Sequence, residues 1–240
     1  LATKFAGLND AIKNIKNFVK EDTVILSLLN GVTSEDIIAD VYGKDKMLYS
    51  YFIGHSSVRC GNSVTHDDVN TIVFGAENNL SENVVAVKNF FDKVGINYKI
   101  PDDIKRSMWL KFMLNVSANQ PTAILRMTFG DMFENTHFMK FAENIMREVQ
   151  SVAKAEGVRN TETMVDEALK HLKTMTPDGK TSMLQDVEAG RKTEVDMFAG
   201  TVIELGKKHG IPTPYNKILR EMIGIIEEHQ DIHHQEVVRV

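Results

Sequence analysis

The chain has 240 residues, of which 42% are hydrophobic and 25% are charged, and this globular composition excludes wholesale disorder, collagen-like repeats and a disulfide scaffold. The Lys and Arg residues (28) are outnumbered by the Asp and Glu residues (33), so the formal net charge of −5 argues against binding of nucleic acid or of an anionic membrane surface. Cys60 is the single cysteine, which excludes an internal disulfide and favours a reducing, cytoplasmic location.

The chain begins at Leu1, directly within an apolar-polar pattern and without a basic-then-apolar leader. We therefore expect it to be the middle of a longer protein. The longest apolar runs, such as that within residues 24–29, fall far short of the ~20 residues that a membrane span needs, so no association with a membrane is expected.

Residues 1–100 alternate between short β-rich runs and helical patterns. The predicted strands cover residues 23–29, 47–53, 71–74 and 96–100, and a turn is predicted over 59–62. One predicted helix carries Ile12, Ile15, Phe18 and Val19 at helical spacing, and two others cover 34–41 and 82–94. Gly43 and Gly95 are predicted to end the last two helices. Alternation of this kind predicts an α/β layer whose strands are buried.

Residues 101–240 carry helical periodicity and almost no β-rich runs. The predicted helices cover residues 102–119, 139–156, 161–175, 182–190, 193–209 and 216–229. Residues 231–240 lack a core pattern and are interpreted as a tail. The sequence thus predicts an α/β domain over 1–100, a helical domain over 101–230 and a short tail.

Lys111, Asn115 and Asn119 form the most informative pattern in the chain. Their spacing places them in one row on a helix face, with apolar residues on either side. A solvent-facing stripe is the alternative interpretation, but Asn is a poor helix former and the row is narrow for a wet face. A lysine ammonium can protonate an oxygen that becomes an alkoxide, and carboxamides can hydrogen-bond a small anion. The pattern favours carbonyl reduction over hydrolysis.

Two further segments offer weaker candidates. Ser182 and Gln185 have the spacing of a capping box, although a helix N-terminus can also hold a carboxylate. Glu194 is an isolated carboxylate that could pair with Arg191 or face solvent. Asn30 follows a predicted buried strand and is either part of a turn or a ligand contact at the strand's carboxyl end.

These segments together resemble the ketopantoate reductases, also called 2-dehydropantoate 2-reductases. The order and spacing match from Lys4 to about Glu228, including the twelve positions that separate Ser182 from Glu194. The matching segments are Leu29-Asn30-Gly31, Trp109-Leu110-Lys111 with Asn115, Asn119-Gln120-Pro121-Thr122-Ala123, Ser182-Met183-Leu184-Gln185-Asp186 and Thr193-Glu194-Val195-Asp196.

The resemblance implies a partial Rossmann-like N-terminal domain followed by an all-α C-terminal domain of the 6-phosphogluconate dehydrogenase C-terminal-like type. Residues 1–100 would be the C-terminal portion of an NADP-binding domain, and residues 101–230 the helical substrate and dimerisation domain. The implied reaction is the NADPH-dependent reduction of 2-dehydropantoate (ketopantoate) to (R)-pantoate in pantothenate and coenzyme A biosynthesis. The implied partners are a small keto acid, the cofactor NADP(H) and a second copy in a homodimer.

The resemblance also implies roles for individual residues. Lys111 would be the general acid that protonates the substrate oxygen as hydride arrives. The implied substrate-binding residues are Asn30, Asn115, Asn119 and Ser182. The implied cofactor-binding residues are Lys4, Asn30, Ser57 and Glu194.

The chain departs from the family pattern at several places. Phe129 and Gly179 stand where family members can place asparagine, so a related reductase or dehydrogenase acting on another 2-keto or 3-hydroxy acid is an alternative. None of the 15 glycines forms the Gly-x-Gly of a phosphate-binding turn, and we expect that turn to lie before Leu1. A non-catalytic dimerisation fragment is a further alternative. The histidines near the C-terminus are interpreted as part of a charged tail, so no metal is expected.

Overall fold

The structure is a computed structural model that describes residues 1–54, 57–66 and 70–238. The chain forms two compact units, Leu1–Met108 and Trp109–Val240. The first unit extends beyond residue 100 because Ile104 and Met108 pack against Tyr51 and Val73 in one buried cluster. The first unit is Rossmann-like and the second is mostly helical.

The first unit contains three α-helices and six strands within its described residues. The helices are α1 (Leu8–Asn14), α2 (Ser34–Tyr42) and α3 (Glu82–Val94), and the strands are β1 (Ile25–Leu26), β2 (Met47–Gly54), β3 (Ser57–Cys60), β4 (Ser63–His66), β5 (Asn70–Gly75) and β6 (Tyr98–Lys99). The main sheet has the order β1-β2-β5-β6, in which β1 and β2 are parallel, β2 and β5 antiparallel, and β5 and β6 parallel. Strands β3 and β4 form a separate antiparallel pair.

The side chains of the main sheet point alternately to its two faces, and each face packs into its own buried cluster. Val73 and Phe74 are neighbours on β5 and belong to different buried clusters, because successive side chains of a strand point to opposite faces. A further cluster around Leu8 and Ile38 joins α1, α2 and β1. The α/β layer predicted from the sequence is confirmed.

Several local predictions for the first unit are confirmed, and two strands are shorter than predicted, since the strand predicted over 96–100 is regular only at Tyr98–Lys99. Gly43 and Gly95 follow α2 and α3 with φ of 96° and 72°, conformations that glycine adopts at little cost. The strand predicted over 23–29 is regular only at Ile25–Leu26. Pairing is completed by Leu1, whose amino group donates to the Leu26 carbonyl while its carbonyl accepts from the Leu28 amide.

The second unit is built from helices. They are α4 (Ile104–Leu125, which begins in the first unit), α5 (Phe129–Glu134), α6 (Thr136–Ala155), α7 (Met164–Leu172), α8 (Ser182–Glu188), a π-helical turn (Asp196–Gly200), α9 (Thr201–His209) and α10 (Pro214–Val238). Within the described residues, no helix is both long enough and apolar enough to cross a membrane.

Several helices of the second unit differ from the predictions, and the helix predicted over 193–209 is a π-helical turn followed by α9. Helix α4 continues through Pro121, where we predicted an end at Asn119. Helix α5 is not among the predicted helices; it begins with a capping box in which Thr128 and Asp131 bond each other's backbone amides. Helix α10 continues to Val238, through most of the segment interpreted as a tail.

Candidate functional site

Helix α4 carries the polar row that the sequence singled out. Phe112 and Met113 lie in the core beside that row, and the Phe112 ring contacts Trp109 edge-on with centroids 5.6 Å apart. This packing fixes the rotation of the helix about its axis. Lys111 and Asn115 are half-buried and Asn119 is only 7% exposed, so the row is not a face turned to bulk solvent.

Asn119 and Ser182 lie together although 63 residues separate them along the chain. The Asn119 Nδ2 donates to the Ser182 Oγ over 3.4 Å, the long end of the range for a hydrogen bond. Ser182 is the first residue of α8 and is exposed. The Ser182 hydroxyl therefore lies at the Asn119 end of the row that begins at Lys111.

The predicted capping box of Ser182 and Gln185 is wrong. Thr181 is the N-cap of α8, because its backbone is extended and its Oγ1 accepts from the Leu184 amide at 3.3 Å. The Thr181 Oγ1 also lies 2.8 Å from the Thr122 Oγ1, and both threonines are buried. The cap joins α8 to α4, and it does not use the Ser182 hydroxyl.

Glu194 lies just before the π-helical turn and is half-buried. Its neighbour Thr193 is held by Glu227, whose Oε1 accepts from the Thr193 amide at 2.7 Å and from its hydroxyl at 2.6 Å. Arg191 forms its ion pair with Asp186 at 2.9 Å. The residues that precede Glu194 are thus held by carboxylates of α8 and α10.

The π-helical turn is linked to α4 by aromatic packing. Phe198 lies within the turn, and its ring centroid is 6.4 Å from that of Phe112, the residue after Lys111. Such turns are rare and occur often at functional sites. The contact packs the turn against the buried side of α4.

The other predicted site residues lie in the first unit. Asn30 is half-buried and follows β1 in a turn where Gly31 has φ of 101°, and Lys4 is exposed just before the short helical turn at Phe5. Ser57 is the first residue of β3, and its side chain lies outside the described residues. Asn30 is at the carboxyl end of a parallel strand pair, where open α/β sheets bind ligands.

Sequence reasoning missed Glu35, the second residue of α2. Its carboxyl is buried, and burial raises the pKa from its ordinary 4.5 to about 7, against the lowering effects of the backbone N–H groups of Glu35 and Ser50 and of the Ser34 hydroxyl. Glu35 follows Asn30 by five positions, but sequence gives no signal of its burial.

Phe129 and Gly179, the two departures from the family pattern, contact each other. A Cβ atom at position 179 would lie 2.9 Å from Cδ2 of the Phe129 ring. The turn that contains Gly179 leads directly into Thr181 and α8. The Phe129 ring therefore fills the space that a side chain at position 179 would need.

Histidine, cysteine, aspartate and glutamate side chains form no group of three suited to a metal ion within the described residues. The chemistry available at the polar row is that of one ammonium group, two amides and a hydroxyl. An ammonium can donate a proton, and the amides and the hydroxyl can donate and accept hydrogen bonds. These groups suit binding and protonation of a small oxygen-rich molecule.

Family profiles match most of the chain. The profile described as "Ketopantoate reductase PanE/ApbA C terminal" matches residues 103–227, and "Ketopantoate reductase PanE/ApbA" matches residues 1–79. The 2-dehydropantoate 2-reductase of Streptococcus pyogenes serotype M6 is 26% identical over 225 residues, which are 93% of this chain and 73% of the relative. That of Aquifex aeolicus is 26% identical over 232 residues, which are 93% of this chain and 74% of the relative.

Solved structures resemble the chain over a similar extent. The 2-dehydropantoate 2-reductase of Geobacter metallireducens GS-15 is 25% identical, with a TM-score of 0.83 over 93% of this chain and 75% of that one. D-mandelate dehydrogenase, solved with NADH and anilino(oxo)acetate, is 25% identical, with a TM-score of 0.85 over 96% of this chain and 76% of that one. From the profile matches and the shared fold we conclude that the chain belongs to the ketopantoate reductase (PanE/ApbA) family of oxidoreductases.

Proposed function

We propose that the chain catalyses the reduction of 2-dehydropantoate to (R)-pantoate, with NADPH as the hydride donor and Lys111 as the general acid. The observation that carries the proposal is the packing of α4, which leaves Lys111 half-buried in one row with Asn115 and Asn119 and brings Asn119 to Ser182. The pathway it would serve is pantothenate and coenzyme A biosynthesis.

Lys111 supplies the proton in this proposal. Reduction adds a hydride to the carbonyl carbon, and the carbonyl oxygen then carries the electron pair of the former π bond. The Lys111 ammonium transfers a proton to that oxygen, which yields the hydroxyl group, and solvent returns a proton to the amine. The apolar neighbours of Lys111 on α4 lower the local dielectric constant and strengthen its attraction to the developing negative charge.

Asn115, Asn119 and Ser182 bind the keto acid in this proposal, together with Asn30. The hydrogen bond between Asn119 and Ser182 orients both groups before substrate arrives, and the exposed Ser182 hydroxyl remains able to bind a substrate oxygen. The amide and hydroxyl groups carry no charge and select the substrate by the direction of its hydrogen bonds. Lys111 supplies the positive charge that attracts the substrate carboxylate. Orientation of this kind lowers the entropic cost of reaching the transition state.

The cofactor NADP(H) is assigned to Lys4, Asn30, Ser57 and Glu194. The geometry of Asn30 fits this group, because a half-buried amide at the carboxyl end of β1 stands where dinucleotides bind in Rossmann-like sheets. When bound, the cofactor supplies the hydride. Of these residues, Lys4 offers the positive charge that suits a phosphate group.

A homodimer in the cytoplasm is the proposed setting of the reaction. The single cysteine fits a reducing compartment. One solved structure that shares the fold, at 21% identity and a TM-score of 0.80, is described as a dimeric ketopantoate reductase from Staphylococcus aureus.

Steady-state assays of the purified protein test the proposal. NADPH and NADH are each offered with ketopantoate, with its analogue that lacks the terminal hydroxyl, and with phenylglyoxylate, the keto acid that corresponds to mandelate. We expect the highest kcat/KM for NADPH with ketopantoate. A preference for phenylglyoxylate would replace the proposed substrate by an aromatic keto acid, and a preference for NADH would overturn the cofactor assignment.

A further inference from the structure

The turn that carries Asn30 is closed at its two ends by buried hydroxyl groups. Ser27 follows β1 and Ser34 is the first residue of α2, and their Oγ atoms lie 2.8 Å apart. The exposed fractions of these serines are 0% and 2%. Because Asn30 and Gly31 lie between them, the hydrogen bond limits the positions that the turn can take.

Glu35 sets the direction of the hydrogen bonds in this cluster. The Ser34 hydroxyl donates its proton to Glu35 Oε2 over 3.0 Å. The Ser34 oxygen must then accept from Ser27, because a hydroxyl has only one proton to donate. The Ser27 carbonyl accepts from the Ser50 hydroxyl of β2 at 2.9 Å. A chain of hydrogen bonds therefore runs from the sheet, across the turn, to Glu35.

The Glu35 carboxyl is costly in this position. It is 3% exposed, and its Oε1 has no hydrogen-bond partner among the residues that the structure describes. The like charge of Asp36, the next residue of α2, further disfavours the carboxylate. An acidic side chain in the first turn of a helix is stabilising, but an exposed glutamate would gain that benefit without burial. Stability alone does not account for a buried carboxyl with one unpaired oxygen.

We infer that Glu35 is a positioning residue for Asn30. By accepting from Ser34 it keeps the bond between Ser27 and Ser34 closed, and so holds the Asn30 amide at the carboxyl end of β1. The inference rests on the proposed function, in which Asn30 contacts cofactor and substrate. Glu35 itself is assigned no contact with either.

Two variants of Glu35 distinguish the loss of its hydrogen-bond acceptor from a change in the size of its side chain. Glu35→Met removes the acceptor and keeps a similar length, whereas Glu35→Gln keeps a carbonyl oxygen for Ser34. We expect Glu35→Met to raise the KM for NADPH and for keto acid by about tenfold and Glu35→Gln to stay within about twofold of wild type. Wild-type KM values in Glu35→Met would overturn the inference.

A double-mutant cycle with Asn30→Ala distinguishes positioning from general stabilisation. If Glu35 acts through Asn30, Glu35→Met should change the KM by less than about twofold in the Asn30→Ala background. A purely structural role would give effects that multiply, because each substitution would act by itself. Multiplying effects therefore overturn the inference.

Hydrogen exchange of the backbone amides of residues 28–33 provides a readout that needs no turnover. We expect exchange about tenfold faster in Glu35→Met than in wild type, and wild-type exchange in Glu35→Gln. Glu148→Met is the matched control, since Glu148 is a buried carboxyl of the second unit that accepts from Tyr215 and Asn216. It should lower the thermal midpoint without changing exchange in this turn.

Hydrogen exchange tests the role of Glu35, and keto acid reduction tests the proposed function, so the two proposals can be overturned independently. Unchanged exchange at residues 28–33 in Glu35→Met overturns the inference even if the wild-type protein reduces ketopantoate. Faster exchange in a protein that reduces no keto acid overturns the proposed function and leaves the role of Glu35 in the turn supported.

Discussion

The ring of Phe129 takes the place of a side chain at Gly179. Two backbone hydrogen bonds hold the segments together, from the Phe129 amide to the Gly179 carbonyl at 3.0 Å and from the Gly130 amide to the Pro177 carbonyl at 2.7 Å. A Cβ atom at position 179 would also lie 3.0 Å from the Thr176 carbonyl oxygen. The start of α5 is thus docked on the turn that precedes α8 and Ser182.

Gly179→Ala should lower the free energy of unfolding by about 1–3 kcal/mol, because the added methyl group overlaps an aromatic ring and a backbone oxygen. Urea denaturation of the purified variant measures the change. Gly224→Ala is the matched control: Gly224 lies within α10 with no heavy atom near its Cβ position, so the substitution should stabilise by roughly 0.5–1 kcal/mol. Equal stability of Gly179→Ala and wild type would contradict the close contact.

Lys111→Ala should lower kcat by a factor of about 10²–10⁴, the usual range for the loss of a general acid. Lys105→Ala is the control on the same helix, since Lys105 pairs with Glu77 at 2.9 Å and lies over the Tyr49 ring. We expect its kcat to stay within about threefold of wild type, as for loss of an exposed ion pair. Stopped-flow and steady-state rates with NADPH and ketopantoate measure both. Unchanged turnover in Lys111→Ala would remove the general-acid role.

Ser182→Ala and Asn119→Ala should each raise the KM for keto acid, by about tenfold, with a smaller effect on kcat. Because the two side chains are hydrogen-bonded, the double variant should lose less than the product of the single effects. Ser151→Ala serves as the control, since the Ser151 hydroxyl bonds only the Arg147 carbonyl of its own helix in the described contacts. Strictly multiplicative effects would show that Asn119 and Ser182 act independently on the substrate.

The elements that sequence predicts best are those whose signals are local. Helix α3 has the predicted bounds of Glu82–Val94, because its amphipathic pattern and Gly95 lie within the same short stretch. The row of Lys111, Asn115 and Asn119 is predictable for the same reason, since helical spacing alone places them on one face. The role of each residue in that row comes from family resemblance and remains a prediction.

The features that sequence did not predict depend on distant contacts or on one dihedral angle. Helix α4 continues past Pro121, and around the proline the side-chain amide of Gln120 and the Thr122 hydroxyl donate to the Val116 and Ala118 carbonyls of the same helix, all in a buried environment that the sequence does not reveal. The cap of α8 falls on Thr181 instead of Ser182 because Thr181 alone is extended and bonded to Thr122.

Burial of Glu35 is also set by distant contacts. The backbone N–H of Ser50 in the sheet bonds its carboxyl, and Ser27 is linked to it through Ser34; neither Ser50 nor Ser27 is adjacent to Glu35 in sequence. From sequence alone, a glutamate in the first turn of a helix is expected to be an ordinary exposed residue. Its burial becomes apparent only when β1, β2 and α2 are placed together.

Glu35→Gln should change the pH dependence of stability in a defined direction. Burial raises the pKa of Glu35 from 4.5 to about 7, so the folded chain binds more protons than the unfolded chain between these values. Stability therefore falls as pH rises from 4.5 to about 7, and above that range the carboxylate destabilises the fold by about 3 kcal/mol. Glutamine does not titrate, so the variant should gain stability relative to wild type between pH 5 and pH 8.

Asp131→Asn provides a control of opposite sign for that experiment. Hydrogen bonds from the Thr128 backbone amide and hydroxyl lower the pKa of Asp131 below its ordinary 3.8, so its contribution to stability is present above that pH and is lost only in acid. Asp131→Asn should therefore be less stable than wild type by the same amount at pH 5 and pH 8. Urea denaturation at both pH values measures the two variants together. A difference between Glu35→Gln and wild type that does not change with pH would show that Glu35 titrates in the ordinary range and would contradict the energetic cost of burying its carboxylate.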